Sequence, residues 1–276
     1  MKKYIQNFIA ALLAVSCLSC AAPPDNNASD DKDNSIRQTE DTESAADSST
    51  DSVAPTESEL SQFVFCSILE EGADAGQSYQ DKIIFVGDST THHLRNREVL
   101  SGGKNTTQVW TPTSGTLTLA YALTVKILDP GTNTEMTIMD AAGLNKPEIM
   151  VITLGMNGIS FMKEDSFKTV YTALINGILE QSPDTKIILQ SIFPRALEGN
   201  ENYASISQEM IDSGNVWVQD IARECNVYYL DTESVLKDEN GYLRSEYSVG
   251  DGIHISREGY QVILQFIRTH PIPEVS

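Results

Sequence analysis

Positive charge is scarce in this chain: 19 lysines and arginines stand against 39 aspartates and glutamates, leaving a formal charge of −20. That balance argues against a nucleic-acid partner, because binding a phosphate backbone needs concentrated positive charge to displace counterions. Long apolar runs are scarce too. After Val15 no stretch is long and apolar enough for a membrane-spanning helix. Between about Ala21 and Glu57 large apolar residues are almost absent, and such a segment cannot bury enough surface to offset its ordering entropy. Downstream of it there is no Cys-x-x-Cys and no His-x-x-His pair, so a dedicated zinc site is not expected. Nor does a glycine-rich phosphate loop follow the first strand candidate, which weighs against a nucleotide-binding reading. No repeat period is visible.

The N-terminal stretch Met1 to Cys20 carries two lysines, an apolar run from Tyr4 to Val15 and then Ser16-Cys17-Leu18-Ser19-Cys20. This is the pattern of a secretory signal peptide, its apolar run too short to span a bilayer. The cysteines that follow resemble a bacterial lipobox. Cys17, preceded by small Ser16, is the expected lipidated residue, and Cys20 is the alternative; the domain would then be held on the outer face of a bacterial membrane by a lipid anchor, or be secreted if the signal is an ordinary cleaved one. Residues 21–57, rich in Asp, Glu, Ser and Thr, read as a disordered acidic tether. Residues 58–276 remain for one folded domain. Cys66 and Cys225 fall within it, either paired or as two separately buried thiols, since their spacing in sequence fixes no distance.

Within 58–276 strands alternate with helices. Glu57 to Glu71 has helical spacing. Lys82 to Val86, Glu148 to Leu154 and Lys186 to Ile192 are continuous apolar runs, as strands buried on both faces require, and Val227 to Leu230 is a shorter one. Thr106 to Trp110 has strand character. Helices are expected from Leu117 to Leu128, Thr137 to Leu144, Ser166 to Gln181, Tyr203 to Cys225 and Ser256 to about Thr269, with the stretch Thr90 to Leu100 left open between helix and loop. Alternation of this kind implies right-handed crossovers and a mainly parallel sheet covered on both faces, a three-layer α/β/α sandwich.

The first strand runs straight into Gly87-Asp88-Ser89, where glycine permits a sharp turn. Ser89 then stands past the carboxyl end of a buried strand, where open α/β sheets hold ligands, and at a helix N-terminus that favours negative charge. Two other strands end in Gly155-Met156-Asn157 and Phe193-Pro194-Arg195, so all three loops meet at one sheet edge. Near the end of the chain stands Asp251-Gly252-Ile253-His254. A carboxylate three residues ahead of a histidine can turn back and accept from Nδ1–H, leaving Nε2 to take a proton from a serine hydroxyl. His92 and His93 also follow Ser89 closely, but a helix is expected to turn at least one of them away. Arg195 reads either as a partner for an anionic substrate group or as a solvated loop residue, and Trp110 and Tyr247 as pocket walls or core.

Gly87-Asp88-Ser89, Gly155-Met156-Asn157 and Asp251-Gly252-Ile253-His254 resemble, in order and in strand context, three sequence blocks of the SGNH or GDSL hydrolases. That resemblance implies a flavodoxin-like sheet and a serine esterase with no cofactor or metal. Ser89 would be the nucleophile, His254 the general base and Asp251 its orienting carboxylate. The oxyanion would be met by the side chain of Asn157 and the backbone N–H groups of Ser89 and a further glycine, Gly115, with Gly102 or Gly103 as alternatives. Thr90 stands where the family often has leucine, a departure that bears on packing. The implied partner is a small-molecule or glycan ester, O-acetyl or short acyl groups above all. The alternative from a different class is a non-catalytic glycan-binding or assembly protein on the same scaffold.

Overall fold

The computed structural model describes residues 67–199 and 201–273. The signal peptide, both lipidation candidates, the acidic tether, Cys66 and most of the helix expected at 57–71 lie outside the described residues. Among the described residues no helix is long and apolar enough to cross a membrane.

The strands are β1 (Ile83–Gly87), β2 (Val109–Trp110), β3 (Lys126–Asp129), β4 (Thr134–Thr137), β5 (Ile149–Thr153), β6 (Lys186–Gln190) and β7 (Tyr228–Leu230). The helices are α1 (Gly76–Gln80), α2 (Ser89–Asn96), α3 (Ile138–Asn145), α4 (Glu164–Gln181), α5 (Gln208–Glu224), α6 (Glu233–Leu236) and α7 (Arg257–Thr269). Five strands form a parallel sheet in the order β2-β1-β5-β6-β7, while β3 and β4 make a separate antiparallel hairpin. Counting only the main sheet, the order is that of a flavodoxin-like, doubly wound fold, whose chain reverses direction across the sheet between β1 and β5.

The pleat explains the three layers. Successive side chains of a strand point to opposite faces, and β5 is buried throughout. Met150 and Ile152 pack with Phe167, Tyr171, Leu174 and Ile178 of α4 and Val218 and Ile221 of α5. Ile149 and Val151 pack on the other face with Leu94 of α2 and Tyr260, Ile263 and Ile267 of α7. Each such fully buried aliphatic side chain contributes about 1.5–3 kcal/mol relative to exposure, so the sheet is anchored from both sides. The register pairs Ile83 with Ile149 and Gly87 with Thr153. β1 and β5 therefore end level, and the loops after them open at the same edge.

Three expectations are corrected. Ser67 to Leu69 is extended, not helical: Tyr229 N–H donates to Ser67 O (2.6 Å) and Leu69 N–H to Tyr229 O (2.9 Å). The open edge of β7 has backbone groups that need partners, and this segment supplies them. Leu117 to Leu128 is not one helix but a short 3₁₀ turn, Leu119–Tyr121, followed by β3. Ile127 and Asp129 are buried while Lys126 is exposed, an alternation that suits a strand and not a helix. The turn after it is fixed by Asp129, whose carboxylate accepts from Thr132 N–H (2.7 Å) and from Asn145 Nδ2 (2.8 Å). The helix expected from Tyr203 begins only at Gln208, where Ser207 caps it by accepting from Met210 N–H at 3.2 Å.

Candidate active site

Gly87 ends β1 at a point with no room for a side chain. A Cβ there would stand 2.2 Å from Thr91 Oγ1 and 2.3 Å from Thr153 O. Close approach, and not the backbone freedom anticipated from the sequence, is what requires glycine here. Asp88 follows as the N-cap of α2, its carboxylate accepting from Thr90 N–H (2.9 Å) and Thr90 Oγ1 (2.7 Å). Burial pushes the Asp88 carboxyl up against the pull of those two bonds. Thr90 is buried and so serves the cap, a use that leucine does not offer. Ser89 is thus the first residue of α2, where the N–H has no intrahelical acceptor and the helix end carries partial positive charge.

His254 arrives from the other end of the chain on a tight loop. Ser248 and Ile255 pair across it, and Val249 N–H donates to His254 O at 3.2 Å. Inside the loop Asp251 Oδ1 accepts from the backbone N–H of Ile253 (3.1 Å) and His254 (2.9 Å). Its other oxygen lies 2.6 Å from His254 Nδ1, and His254 Nε2 lies 2.9 Å from Ser89 Oγ. Ser89, His254 and Asp251 therefore form one continuous hydrogen-bonded chain. Burial alone would raise the Asp251 carboxyl, but the bonds from His254 and Ile253 outweigh it and hold it below the usual carboxylate range. Two further contacts tie the helices that carry this chain: Tyr260 of α7 donates its hydroxyl to Thr90 O (2.5 Å), and Arg257 donates to Arg97 O (2.8 Å).

These residues open into a cleft of about 580 Å³ whose walls include Asn157, Gly115, Thr116, Tyr203, His92 and His93. Asn157 Nδ2 donates to Thr116 Oγ1 (3.1 Å) and Leu117 O (3.0 Å), so its amide is already oriented along one wall. Gly115 lies on the same wall at φ +73°, but its N–H donates to Pro112 O at 2.8 Å. In this conformation that amide is not available to a ligand. Gly102 and Gly103 belong to a turn beside Glu98 and do not line the cleft. A larger depression of about 1020 Å³ is lined by Leu197, Asp238, Arg244 and Val249, among others, and by none of Ser89, His254 or Asp251. Among the described residues no group of three or more His, Cys, Asp or Glu side chains is arranged to hold a metal ion.

The expectation that α2 turns one histidine away is corrected: His92 and His93 both line the cleft. Positions three and four along a helix share the face of the first, so both side chains follow Ser89. Tyr203, hidden from sequence reading inside a supposed helix, sets its ring edge-on to His254 at 6.0 Å between centroids. Arg195 is neither of the things expected of it. Its guanidinium donates to the backbone oxygens of Ile206 (2.5 Å) and Ala196 (3.2 Å), so it braces a loop. Trp110 is buried core, and Tyr247 is half-buried against Gly259 of α7. Cys225 is half-buried, and burial pushes its thiol up.

His93 packs its ring 4.7 Å from that of His254. Burial, then the neighbouring charges of His254 and Arg97, push it down from 6.5 to about 4. Between those values the unfolded chain binds a proton that the folded one does not. Stability is therefore full above about pH 6.5 and is lost as pH falls towards 4. His93→Phe removes this titration, and its Tm should fall less than that of the unmodified protein between pH 6.5 and 4.5. Equal falls in the two proteins would exclude His93 as the source.

The profile of a family described as GDSL-like lipase/acylhydrolase matches residues 85–262, which spans every element of the cleft. No curated protein matches the chain. Among solved structures, a Streptococcus pneumonia protein named for platelet activating factor is 22% identical, covering 67% of this chain and 81% of its own, with a TM-score of 0.50. A GDSL-like lipase from Bacteroides thetaiotaomicron VPI-5482 is 18% identical over 68% of this chain and 86% of its own, at a TM-score of 0.47. At such identities the first likeness speaks to fold alone.

Proposed function

The chain belongs to the GDSL-like lipase/acylhydrolase family and is an ester-hydrolysing enzyme; on that premise we propose that it is a serine esterase working through Ser89, His254 and Asp251. The observation that carries this reading is the unbroken chain from the Asp251 carboxylate through the His254 ring to the Ser89 hydroxyl. Ser89 Oγ attacks the ester carbonyl carbon while His254 Nε2 takes its proton. The imidazolium so formed is held by the Asp251 carboxylate, and it returns the proton to the departing alcohol as the C–O bond breaks. Water then enters along the same path, and His254 activates it to release the acid.

Negative charge on the carbonyl oxygen develops beside the first turn of α2, where the Ser89 N–H is free of intrahelical bonding. Asn157, which lines the same cleft, completes the hole. Its bond to the Thr116 hydroxyl oxygen is the one it gives up, since that exposed oxygen can accept from water instead. Removing one such donor typically costs about 10²–10³ in turnover. Asn157→Ala should lower kcat on a small acetyl ester by about that factor, with folding intact by circular dichroism. Unchanged kcat would remove Asn157 from the hole.

For the substrate we propose O-acetyl or short acyl groups on a carbohydrate or cell-wall glycan. The cleft walls are mostly polar, with Asn96, Ser114 and Thr116 beside one aromatic ring, Tyr203. Hydroxyl-rich ligands suit such a surface better than long acyl chains do. The leader pattern of Met1 to Cys20 supports export and anchoring at Cys17 or Cys20 outside the cell, where such esters are met. Turnover of acetylated oligosaccharides against p-nitrophenyl esters of increasing chain length tests the assignment; a preference for long acyl chains would overturn it.

A further inference from the structure

His92 stands one helical turn beyond Ser89 on the face of α2 that lines the cleft. Its ring is fixed at two edges. Nδ1 lies 3.0 Å from Thr111 Oγ1. On the other edge, Cδ2 and Nε2 lie 2.9 and 3.0 Å from the point a Cβ on Gly115 would occupy, so the ring rests flush on the Gly115 turn. Gly115 is glycine partly for that reason.

The proton on this ring follows from its partner. Thr111 is buried, and among the described residues its hydroxyl bonds to His92 Nδ1. Buried hydroxyl protons are nearly always donated to something, so Thr111 donates, Nδ1 accepts, and the ring hydrogen sits on Nε2, on the Gly115 side of the cleft. Burial, and after it the Arg95 cation, holds the imidazole below its usual range, so it is neutral at neutral pH. On this same wall the Gly115 N–H is engaged with Pro112 O. Beside that engaged amide the His92 ring brings a side-chain donor to the cleft.

We propose that His92 is a catalytic residue whose Nε2–H donates to the acyl oxygen of the bound ester, in the position the Gly115 amide leaves unfilled. The inference rests on Ser89 as nucleophile. His92 keeps its proton throughout: as Ser89 attacks and the C=O bond becomes C–O⁻, its hydrogen bond shortens onto a developing charge, which is what raises kcat and not affinity. Thr111 acts through His92 as a positioning residue that fixes the tautomer.

The test compares His92→Phe, His92→Gln and Thr111→Val in the full chain, with p-nitrophenyl acetate as substrate. His92→Phe keeps the ring's bulk without its donor and should lower kcat about 10²-fold, with KM within about threefold of the unmodified value. His92→Gln puts an amide N–H near the lost one and should bring kcat back to within about tenfold. Thr111→Val frees the tautomer and should lower kcat about tenfold without raising KM. The proposal is overturned if His92→Phe turns over within threefold of normal, or if His92→Gln is folded and as slow as His92→Phe. Should His92→Phe fail to fold, Thr111→Val decides, and an unchanged kcat there overturns the proposal. Failure of the nucleophile assignment is seen separately, as persistence of turnover in Ser89→Ala.

Discussion

Ser89→Ala will lower kcat on a small acetyl ester by about 10⁴–10⁶-fold and abolish labelling by a fluorophosphonate probe. The size of the effect follows from what is lost. Without Oγ there is no acyl-enzyme, and water must attack directly, positioned only by His254 and by the donors around the carbonyl oxygen. A residue of catalysis survives because those donors remain. Stability should barely change, since the Ser89 hydroxyl makes its hydrogen bond to a His254 ring already held by Asp251. A Tm close to that of the unmodified protein, together with lost turnover, separates a chemical from a structural role. Retained labelling would remove Ser89 from its place.

Asp251→Asn is expected to cost about 10⁴ in kcat while leaving the loop folded. The carboxylate has two separate duties. Oδ1 accepts from the backbone N–H of Ile253 and His254, which an asparagine oxygen does equally well. Oδ2 faces His254 Nδ1 at 2.6 Å, and there the substituted NH₂ can only donate. Nδ1 must then accept, which moves the ring proton to Nε2. That nitrogen now points a hydrogen at Ser89 Oγ and cannot take one from it. Binding should survive, so KM is expected to stay within a few fold while kcat falls. An Asp251→Asn protein with kcat within tenfold of normal would show that the tautomer of His254 is set by something else.

Much of this was legible in the sequence, and the physical reason is burial. Ile83 to Val86, Ile149 to Ile152 and Ile187 to Leu189 are apolar because the sheet is covered on both faces, and that leaves an unmistakable run. The residues Ser89, Asn157, Asp251 and His254 were legible through the loops that end or follow such runs. What was not legible depends on contacts between distant segments. Lys126 to Asp129 is too short to show a period of two, and its partner strand lies past a turn. Ser67 to Leu69 takes its shape from the open edge of β7. Tyr203 reaches the cleft from a 3₁₀ turn that resembles the helix after it. The engagement of the Gly115 N–H by Pro112 is a local turn bond, and Pro112-Thr113-Ser114-Gly115 carried its signal, but its consequence for the cleft depends on His92 from another element.

The proposed esterase mechanism depends on one hydroxyl being the group that carries the acyl chain. Peptide mapping of the fluorophosphonate-treated protein tests this most directly, because it reports the modified atom's residue independently of any substrate. A single adduct is expected, on the peptide containing Ser89, with loss of ester turnover in proportion to its occupancy. An adduct on a different residue, or full inactivation with Ser89 unmodified, would contradict it.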